Sequence, residues 1–373
     1  MSAAFDVAIA GLGALGSAAA YHLARRGRRV LGLDRYAPPH AFGSSHGRTR
    51  IIREAYFEDP LYVPLVQQAY PLWEDLERRS GRALLRITGA LMIGPPDSVL
   101  VTGALRSARE HRLAHELLAP ADMARRFPAI RPREDMVAVW EPRAGVLFPE
   151  ACVDAHLALA RAHGAELKYD EPLAEWHADG DGVRIVTGNA TYRADKLLLA
   201  AGAWLGSLVP ELALPLAIER QVQYWLAPAR TPELFAPERC PVHLWETAPG
   251  KFFYGLPDFG DGVKVALHHD GETTAVDRVC RSVCDAEIAA IREHVRMWIP
   301  AADGALQSSA VCVYTNTPDD HFWIDTHPRH EQVLIASACS GHGFKFAPAL
   351  GQALAAWLID GAPNADLSRF RRR

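Results

Sequence analysis

The segment that most constrains the fold is FDVAIAGLGALGSAAAYHLARRGRRVLGLDR, at residues 5–35. Phe5 to Ala10 has the apolar composition of a buried strand, and Ala14 to Arg26 has the small residues of a closely packed helix. Arg29 to Leu33 predicts a second strand, which ends at Asp34. The segment therefore predicts a β-α-β unit, which is the context that a dinucleotide-binding turn requires.

Three glycines in this unit, Gly11, Gly13 and Gly16, follow the pattern G-x-G-x-x-G. The first permits a tight turn, the second lets the backbone approach a pyrophosphate, and the third lets the helix pack close to the strand. Free N–H groups at the helix N-terminus favour the phosphates, and Asp34 is placed to accept hydrogen bonds from a ribose diol. The unit predicts a bound dinucleotide, FAD or NAD, with a glycine-rich turn that binds nothing as the alternative.

Two later segments favour FAD. One is a strand at Lys196 to Ala200 followed by a small-residue turn through Gly202, although a core strand with a tight turn has the same pattern. The other, at residues 333–361, is a strand, a loop with Gly341 and Gly343, and a helix. A helix that begins after glycines presents N–H donors to an electron-rich oxygen, such as those of the flavin pyrimidine ring. Domains that bind nicotinamide cofactors do not usually need this third segment.

The length of 373 residues predicts about two domains. We expect an α/β fold in which an FAD-binding Rossmann-type domain is interleaved with a sheet-based (α+β) substrate domain. The nucleotide-binding segments are assigned to residues 1–85, 150–216 and 322–373, and the substrate domain to residues 86–149 and 217–321. Helices are expected near residues 62–79, 102–112, 150–163 and 285–298.

Composition and charge limit the possible binding partners and the cellular location of the protein. A net charge of −4 does not support a nucleic-acid surface. No apolar run reaches the ~18–20 residues that cross a bilayer, and the N-terminus does not resemble a signal peptide. The six cysteines are sparse and irregular, which favours neither a disulfide framework nor a zinc or other metal site. We therefore expect a cytoplasmic protein that binds neither membrane nor metal.

Two stretches carry side chains with possible catalytic chemistry. In GSSHGRTRIIREAY, at residues 43–56, Arg50 and Arg53 would share one face of a helical turn and could clamp a carboxylate. In GVKVALHH, at residues 262–269, strand periodicity places Lys264 and His268 on one face. A solvated basic turn and a solvated sheet surface are the respective alternatives.

The stretch AVCVYTNTPDDHF, at residues 310–322, sets a cysteine in an apolar strand. The period of two places Cys312 and Tyr314 on the same face, so Tyr314 should lie close to whatever Cys312 contacts. From these residues alone, Cys312 is either a buried structural thiol or a thiol bonded to a ligand.

These motifs together resemble the monomeric sarcosine oxidase family, a group of flavoproteins that includes N-methyltryptophan oxidases and peroxisomal sarcosine and pipecolate oxidases. The resemblance runs almost end to end. It rests on GLGALG, PPHAFGSSHGRTRIIREAY, FYGLPDFGDGVKVALHH, AVCVYTNTPDDHFWID and SGHGFKF. The last two motifs, in this order, are the most specific, because many other Rossmann flavoproteins have only the first.

The resemblance implies roles for particular residues. It implies FAD attached covalently through the flavin 8α-methyl group to Cys312, and a substrate carboxylate held by Arg53 and Lys345. Lys264 matches the lysine that activates oxygen. The expected catalytic residues are Lys264, Arg50, His46, Arg53, Lys345, Tyr254, His268 and Tyr314. The expected cofactor-binding residues are Gly11, Gly13, Gly16, Asp34, Ser44, His46, Arg50, Gly202, Cys312, Gly341, Gly343 and Lys345.

The implied activity is an oxidase of N-methyl or cyclic secondary amino acids, which forms an imine and hydrogen peroxide. Its partners are a small amino acid and oxygen, and the chain is expected to be a monomer. One alternative is a dehydrogenase of the same fold that passes electrons to a carrier. Another is a non-catalytic FAD-binding protein. The sequence leaves sarcosine, N-methyl aromatic amino acids, proline and pipecolate open as substrates.

The chain departs from bacterial relatives at two places. It has Ser-Ser-His-Gly-Arg-Thr at residues 44–49, where many of them have Ser-His-His-Gly-Asp-Thr. Trp245 falls where the sarcosine-specific bacterial enzymes carry a methionine in the substrate pocket. From the resemblance, we expect a large flat side chain at that position to reshape the pocket.

Overall fold

A computed structural model describes residues 4–371, which form two large β-sheets, a small third sheet and packed helices. In chain order the strands are β1 (Ala4–Ala10), β2 (Val30–Leu33), β3 (Arg50–Ile52), β4 (Leu85–Ile87), β5 (Ala90–Gly94), β6 (Glu116–Leu118), β7 (Val137–Glu141), β8 (Gly145–Leu147), β9 (Glu166–Lys168), β10 (Leu173–Asp179), β11 (Gly182–Thr187), β12 (Thr191–Leu199), β13 (Ala217–Leu226), β14 (Val242–Ala248), β15 (Lys251–Leu256), β16 (Val263–His268), β17 (Thr273–Thr274), β18 (Leu306–Asn316), β19 (Trp323–His327) and β20 (His330–Ser337). The α-helices are α1 (Ala14–Arg25), α2 (Val63–Ser80), α3 (Val99–Glu110), α4 (Pro120–Arg126), α5 (Pro149–Ala162), α6 (Leu205–Leu208), α7 (Asp285–Trp298) and α8 (Ala347–Asp360).

The first sheet has the strand order β10-β11-β12-β1-β2-β9, and β20 pairs with β12. Strands β9, β2, β1, β12 and β20 are parallel, and their apolar residues are buried on both faces, as expected for a parallel sheet. Helices α1, α2, α5 and α8 cover one face with a continuous apolar core. This sheet contains the predicted β-α-β unit, so that prediction is confirmed.

Helices α1 and α8 pack very closely. A Cβ atom on Gly351 would lie 2.6 Å from Ala18 Cβ, so the contact depends on small residues. Gly361 ends α8 in the left-handed conformation, as predicted. This packing brings the N-terminus of α1 and the loop that precedes α8 to the same edge of the sheet.

The second sheet has the strand order β17-β13-β16-β15-β14-β5-β7-β6, and β18 pairs along β13. The strands β16 and β18 were predicted from the alternation of their residues. Helix α3 packs on one face, and α7 packs on the other through Ile291, Val295 and Trp298. The predicted helix at 285–298 is therefore confirmed at both ends.

A small third sheet has the strand order β3-β8-β4. Along the chain, its strands fall where the sequence passes from one large sheet to the other. The strands of the first large sheet fall within the ranges assigned to nucleotide binding, and those of the second within the ranges assigned to the substrate domain. The domain boundaries themselves stay a prediction. Across residues 4–371, no helix combines the length and the apolar composition needed to cross a bilayer.

Candidate active site

The glycine turn after β1 has the geometry of a phosphate-binding loop. Gly11 has φ +94°, and a Cβ atom there would lie 2.5 Å from the Ala200 carbonyl oxygen. A Cβ atom on Gly16 would lie 1.8 Å from the Gly11 carbonyl oxygen. Gly13, the residue that precedes α1, has no side chain to cap the helix, and the Ala14 amide donates to Ser45 Oγ at 3.1 Å. Gly13, Ala14 and Ser45 all line the cavity beside this turn.

Asp34 lies at the same end of that cavity. Its Oδ2 accepts a hydrogen bond from the Leu12 amide at 2.6 Å, and its Oδ1 accepts one from the Tyr36 amide at 3.0 Å. Each carboxylate oxygen keeps a second lone pair. The Asp34 side chain is therefore held by the backbone and still has acceptor capacity for a diol. Gly202, in the turn after β12, lines the cavity as well.

The loop before α8 also lines the cavity. Gly341 has φ +73°, and a Cβ atom there would lie 2.7 Å from Tyr314 Cε2 and 2.8 Å from His268 Cε1. A Cβ atom on Gly343 would lie 1.8 Å from the Ala338 carbonyl oxygen. Both glycines are needed because the loop runs against neighbouring backbone and aromatic rings.

The exposed Arg35 and four further cationic side chains line this one cavity. The four are Arg50, Arg53, Lys264 and Lys345. Arg50 and Arg53 had been predicted from one motif and the two lysines from two others, and the fold brings these three parts of the chain together. The charges are costly to bury, so the partners of each decide what it can do.

Arg53 is 3% exposed and has two sets of partners. Its Nη2 donates to both oxygens of Glu58 at 2.7 Å, and its Nη1 donates to the Ala55 carbonyl at 3.1 Å. Glu58 also lines the cavity. A second carboxylate that entered the cavity would therefore meet a cation that is already held in place and partly neutralised.

Lys345 lies beside this pair at the start of the last helical segment. Its Nζ donates to the His342 carbonyl at 2.6 Å and lies 3.3 Å from the Tyr56 hydroxyl. Burial and the neighbouring Arg53 lower the pKa of Lys345 to about 7, against the opposing effect of Glu58. The charge of this lysine is therefore sensitive to pH near neutrality.

Lys264 projects from β16 into the cavity from another side. Its Nζ donates to the Gly47 carbonyl at 2.8 Å and to the Thr49 carbonyl at 2.7 Å. Burial, with Arg50 nearby, holds the pKa of Lys264 well below its ordinary value. The predicted face of this strand is confirmed, since Lys264 and His268 both line the cavity.

Aromatic side chains form the wall next to these cations. His268 Nδ1 lies 3.1 Å from the Tyr314 hydroxyl, and their ring centroids are 5.5 Å apart. Tyr254 lines the same wall, and burial raises its pKa to about 12. The three side chains are therefore neutral at ordinary pH, because burial also holds the pKa of His268 well below its usual value.

Cys312 lies directly behind this wall and is fully buried. Its Sγ lies 3.4 Å from Arg50 Nη2 and 3.8 Å from the carbonyl oxygens of Gly43 and Ser44, which line the cavity. Burial raises the pKa of the Cys312 thiol, while Arg50 opposes the rise. The thiol is adjacent to the cavity but not part of its surface. The Ser44 hydroxyl is turned away and donates to the Val313 carbonyl at 2.6 Å.

Two expectations from the sequence are corrected. Arg50 and Arg53 do not lie on a helical turn, because Arg50 begins strand β3 and Arg53 follows its last residue. Trp245 is packed against Trp298 with ring centroids 4.8 Å apart, because Leu244 occupies the cavity-facing position of β14. The role of His46 stays a prediction: its side chain is buried behind the cavity surface, and burial lowers its pKa to about 3.

Several side chains of the site were not predicted. They are Tyr56, Glu58, Gln223 and His342, all in or beside the cavity. The sequence did contain a pattern that indicates Gln223, since Glu219, Gln221 and Gln223 are polar residues at every second position of β13. No sequence pattern indicates Glu58 or Tyr56, because their role depends on contacts with Arg53 and with the distant loop before α8.

Comparisons with known proteins agree with this geometry. The model of the family described as FAD dependent oxidoreductase matches residues 6–357. The chain belongs to this family. It is 44% identical to the monomeric sarcosine oxidase of Streptomyces avermitilis, across 100% of this chain and 98% of that protein. It is 36% identical to the N-methyl-L-tryptophan oxidase of Salmonella heidelberg, across 98% of each chain.

A solved structure shows the same architecture. NikD, an unusual amino acid oxidase essential for nikkomycin biosynthesis, matches with a TM-score of 0.86 at 25% identity, over 99% of this chain and 98% of that one. The expected fold class and the family recognised from the motifs are both confirmed. As a member of the FAD-dependent oxidoreductases, the chain fits its cofactor, since the glycine turn, Asp34 and the loop at Gly341 line one continuous cavity.

The close fit of the loop before α8 gives a test of this FAD-dependent enzyme. Gly341→Ala should destabilise it by about 1 kcal/mol through the left-handed backbone, and by roughly 1–3 kcal/mol more through the clash with Tyr314 and His268. Gly361→Ala is the matched control, because Gly361 has φ +81° but open space around its Cβ position. Denaturant unfolding of both variants measures the difference. Equal losses would contradict the proposed fit.

Proposed function

We propose that the protein is a flavin-dependent oxidase of N-methyl or cyclic secondary amino acids. The net reaction converts the amine and oxygen to an imine, which water hydrolyses, and hydrogen peroxide. The observation that carries this proposal is the burial of Arg53, Lys345 and Lys264 around one cavity beside the nucleotide turn. The sequence relatives whose names state such substrates support it.

The residues that would hold FAD follow the length of the cavity. The turn at Gly11 to Gly16 and the N-terminus of α1 would receive the pyrophosphate, and Asp34 the ribose. Gly202, Ser44 and Arg50 also line the cavity, as does the loop from Gly341 to Lys345, and these residues would hold the rest of the cofactor. When bound, the flavin supplies the two-electron redox chemistry of the reaction.

Arg53 and Lys345 would bind the substrate carboxylate. A planar guanidinium can give two parallel hydrogen bonds, and the ammonium adds a second positive charge. Arg53 is occupied by Glu58 at 2.7 Å, so the incoming carboxylate competes with a buried ion pair. Binding therefore favours a ligand that carries a full negative charge.

Tyr254, His268 and Tyr314 would orient the amine end of the substrate. Their neutral rings pack around the space next to Lys345, so they favour an uncharged amine over an ammonium ion. The substrate must therefore lose its ammonium proton before it reacts, and the rate should rise with pH in the accessible range.

Lys264 would serve the reaction with oxygen. Its buried amine lies close to Arg50, and both burial and that charge hold its pKa well below the ordinary value. In its protonated form it would stabilise the negative charge that develops as oxygen is reduced. This assignment separates an oxidase from a dehydrogenase of the same fold, which would pass electrons to a carrier instead.

Cys312 would carry the flavin through a thioether to the 8α-methyl group. Forming this bond would remove one hydrogen from the thiol and one from the methyl group, and oxygen would accept both as hydrogen peroxide. The position of Sγ, 3.8 Å from two carbonyl oxygens whose residues line the cavity, supports this assignment.

The proposal extends to a cytoplasmic monomer. The six cysteines are free thiols, which fits a reducing compartment. Sarcosine, N-methyl aromatic amino acids, proline and pipecolate remain the candidate substrates.

The proposed function is tested by the stoichiometry of aerobic turnover. We expect one oxygen consumed and one hydrogen peroxide formed for each secondary amino acid oxidised, with sarcosine giving glycine and formaldehyde. Turnover with an artificial electron acceptor but without oxygen uptake would favour the dehydrogenase. No turnover with any candidate would favour a non-catalytic FAD-binding protein.

The covalent link is tested by acid precipitation. The yellow colour should stay with the precipitated protein, and Cys312→Ser should release it to the supernatant. Cys152→Ser is the control, because Cys152 is also fully buried but lies on α5. Colour in the supernatant of the unmodified protein would show that Cys312 is an ordinary core thiol.

The role of Lys264 is tested by Lys264→Met. Oxygen-dependent turnover should fall by roughly a hundredfold or more, because one electrostatic group is removed from a water-poor site. Anaerobic reduction of the bound flavin by substrate should change much less. Lys251→Met is the control, since Lys251 is exposed on the neighbouring strand and pairs with Asp270. Unchanged oxygen-dependent turnover in Lys264→Met would refute the assignment.

The titration of Lys345 gives a pH dependence for ligand binding. The lysine is cationic below its pKa of about 7, so acetate should bind with constant affinity below that pH and more weakly as pH rises through it. Acetate stays ionised throughout this range. Perturbation of the flavin absorption measures the dissociation constant, and Lys345→Met should bind weakly at every pH. The prediction would be contradicted if the unmodified protein bound acetate with the same affinity from pH 6 to pH 9.

A further inference from the structure

We propose that Glu141 is a positioning residue for Arg53, an inference that rests on the proposed function of Arg53 in carboxylate binding. Glu141 is the last residue of β7, and it is not on the cavity surface. It therefore acts through the backbone and not by contact with the substrate.

Glu141 clamps the chain immediately after Arg53. Its Oε1 accepts a hydrogen bond from the Glu54 amide at 2.7 Å, and its Oε2 accepts one from the Ala55 amide at 2.8 Å. The side chain is 1% exposed, so water does not compete for these bonds. Two successive peptide N–H groups are thus fixed by one carboxylate.

The same segment is bound from its other side by Arg53 itself. The Arg53 Nη1 donates to the carbonyl of Ala55, whose amide Glu141 holds. Glu141, the Ala55 residue and the Arg53 guanidinium therefore form one closed set of contacts. A shift of the Ala55 backbone would move the guanidinium relative to the cavity and to Glu58.

A neutral side chain cannot reproduce this clamp. Gln at this position would accept from one amide and present its own NH₂ group to the other, which leaves a buried donor without a partner. The charged groups near Glu141 are Arg53 and Glu54, with Arg143 3.9 Å from Glu54, and the neutral Tyr70 is a further titratable neighbour. Burial raises the pKa of Glu141 to about 7, and the two amides and Arg53 oppose that rise.

The chain offers a matched control in Glu246. This carboxylate is 4% exposed and also accepts from two backbone amides, those of Leu100 at 2.9 Å and Gly250 at 3.3 Å. Those amides belong to segments that carry none of the four cavity cations. Glu141→Gln and Glu246→Gln therefore remove similar clamps, and only the first is next to Arg53.

The experiment measures acetate binding to the flavin-loaded enzyme by the change in flavin absorption. Glu141→Gln should raise the dissociation constant about tenfold, and Glu246→Gln should leave it within about twofold of the unmodified enzyme. The KM for sarcosine or another accepted amino acid should rise by the same factor in Glu141→Gln, while kcat at saturation changes less than about threefold.

Glu141→Asp keeps the proposal testable if the Gln variant does not fold. It retains the charge but withdraws it by one methylene, so a smaller rise in the dissociation constant is expected. An unchanged dissociation constant for acetate in a folded, flavin-loaded variant at Glu141 would overturn this inference and leave the proposed function standing. If the unmodified enzyme binds no acetate, the carboxylate site itself is wrong, and this inference falls with it.

Discussion

Buried positive charge is the constraint on which the rest of this structure depends. Arg50, Arg53, Lys264 and Lys345 lie around one cavity, where each charge would be costly without partners. The fold meets that cost largely with backbone carbonyls, since Lys264 donates to Gly47 and Thr49, and Lys345 donates to His342. Neutral carbonyls stabilise the cations without cancelling their charge. The cavity therefore remains attractive to an anion and to an electron acceptor that becomes anionic.

This constraint explains why the two large sheets must meet. The glycine turn and the loop before α8 belong to the parallel sheet, whereas Lys264 and the aromatic wall belong to the second sheet. The short sheet β3-β8-β4 carries Arg50, and Arg53 directly follows its strand β3. A nucleotide cofactor held by the first sheet would thus meet a substrate held partly by the second. Reaction and binding are combined at the contact of the two sheets.

Sequence reasoning recovered the features that depend on local periodicity. The β-α-β unit, the helix that ends at Gly361 and the cavity-facing alternation at Lys264 and His268 follow from neighbours in the chain. Trp245 was misplaced because the side that β14 presents to the cavity is set by sheet packing and not by spacing. Glu58 and Glu141 were missed because their partners are backbone atoms or side chains fixed by tertiary contacts.

The central claim is that buried cations select a secondary amino acid through its carboxylate and present it to the flavin. Its most direct test is anaerobic bleaching of the bound flavin by matched pairs, namely sarcosine with dimethylamine, proline with pyrrolidine and pipecolate with piperidine. The account predicts that at least one amino acid bleaches the flavin roughly a hundredfold more efficiently than its counterpart without a carboxylate, as expected for the loss of an ionic anchor of about 3 kcal/mol. Equal bleaching by both members of every pair, or bleaching by none, would contradict it.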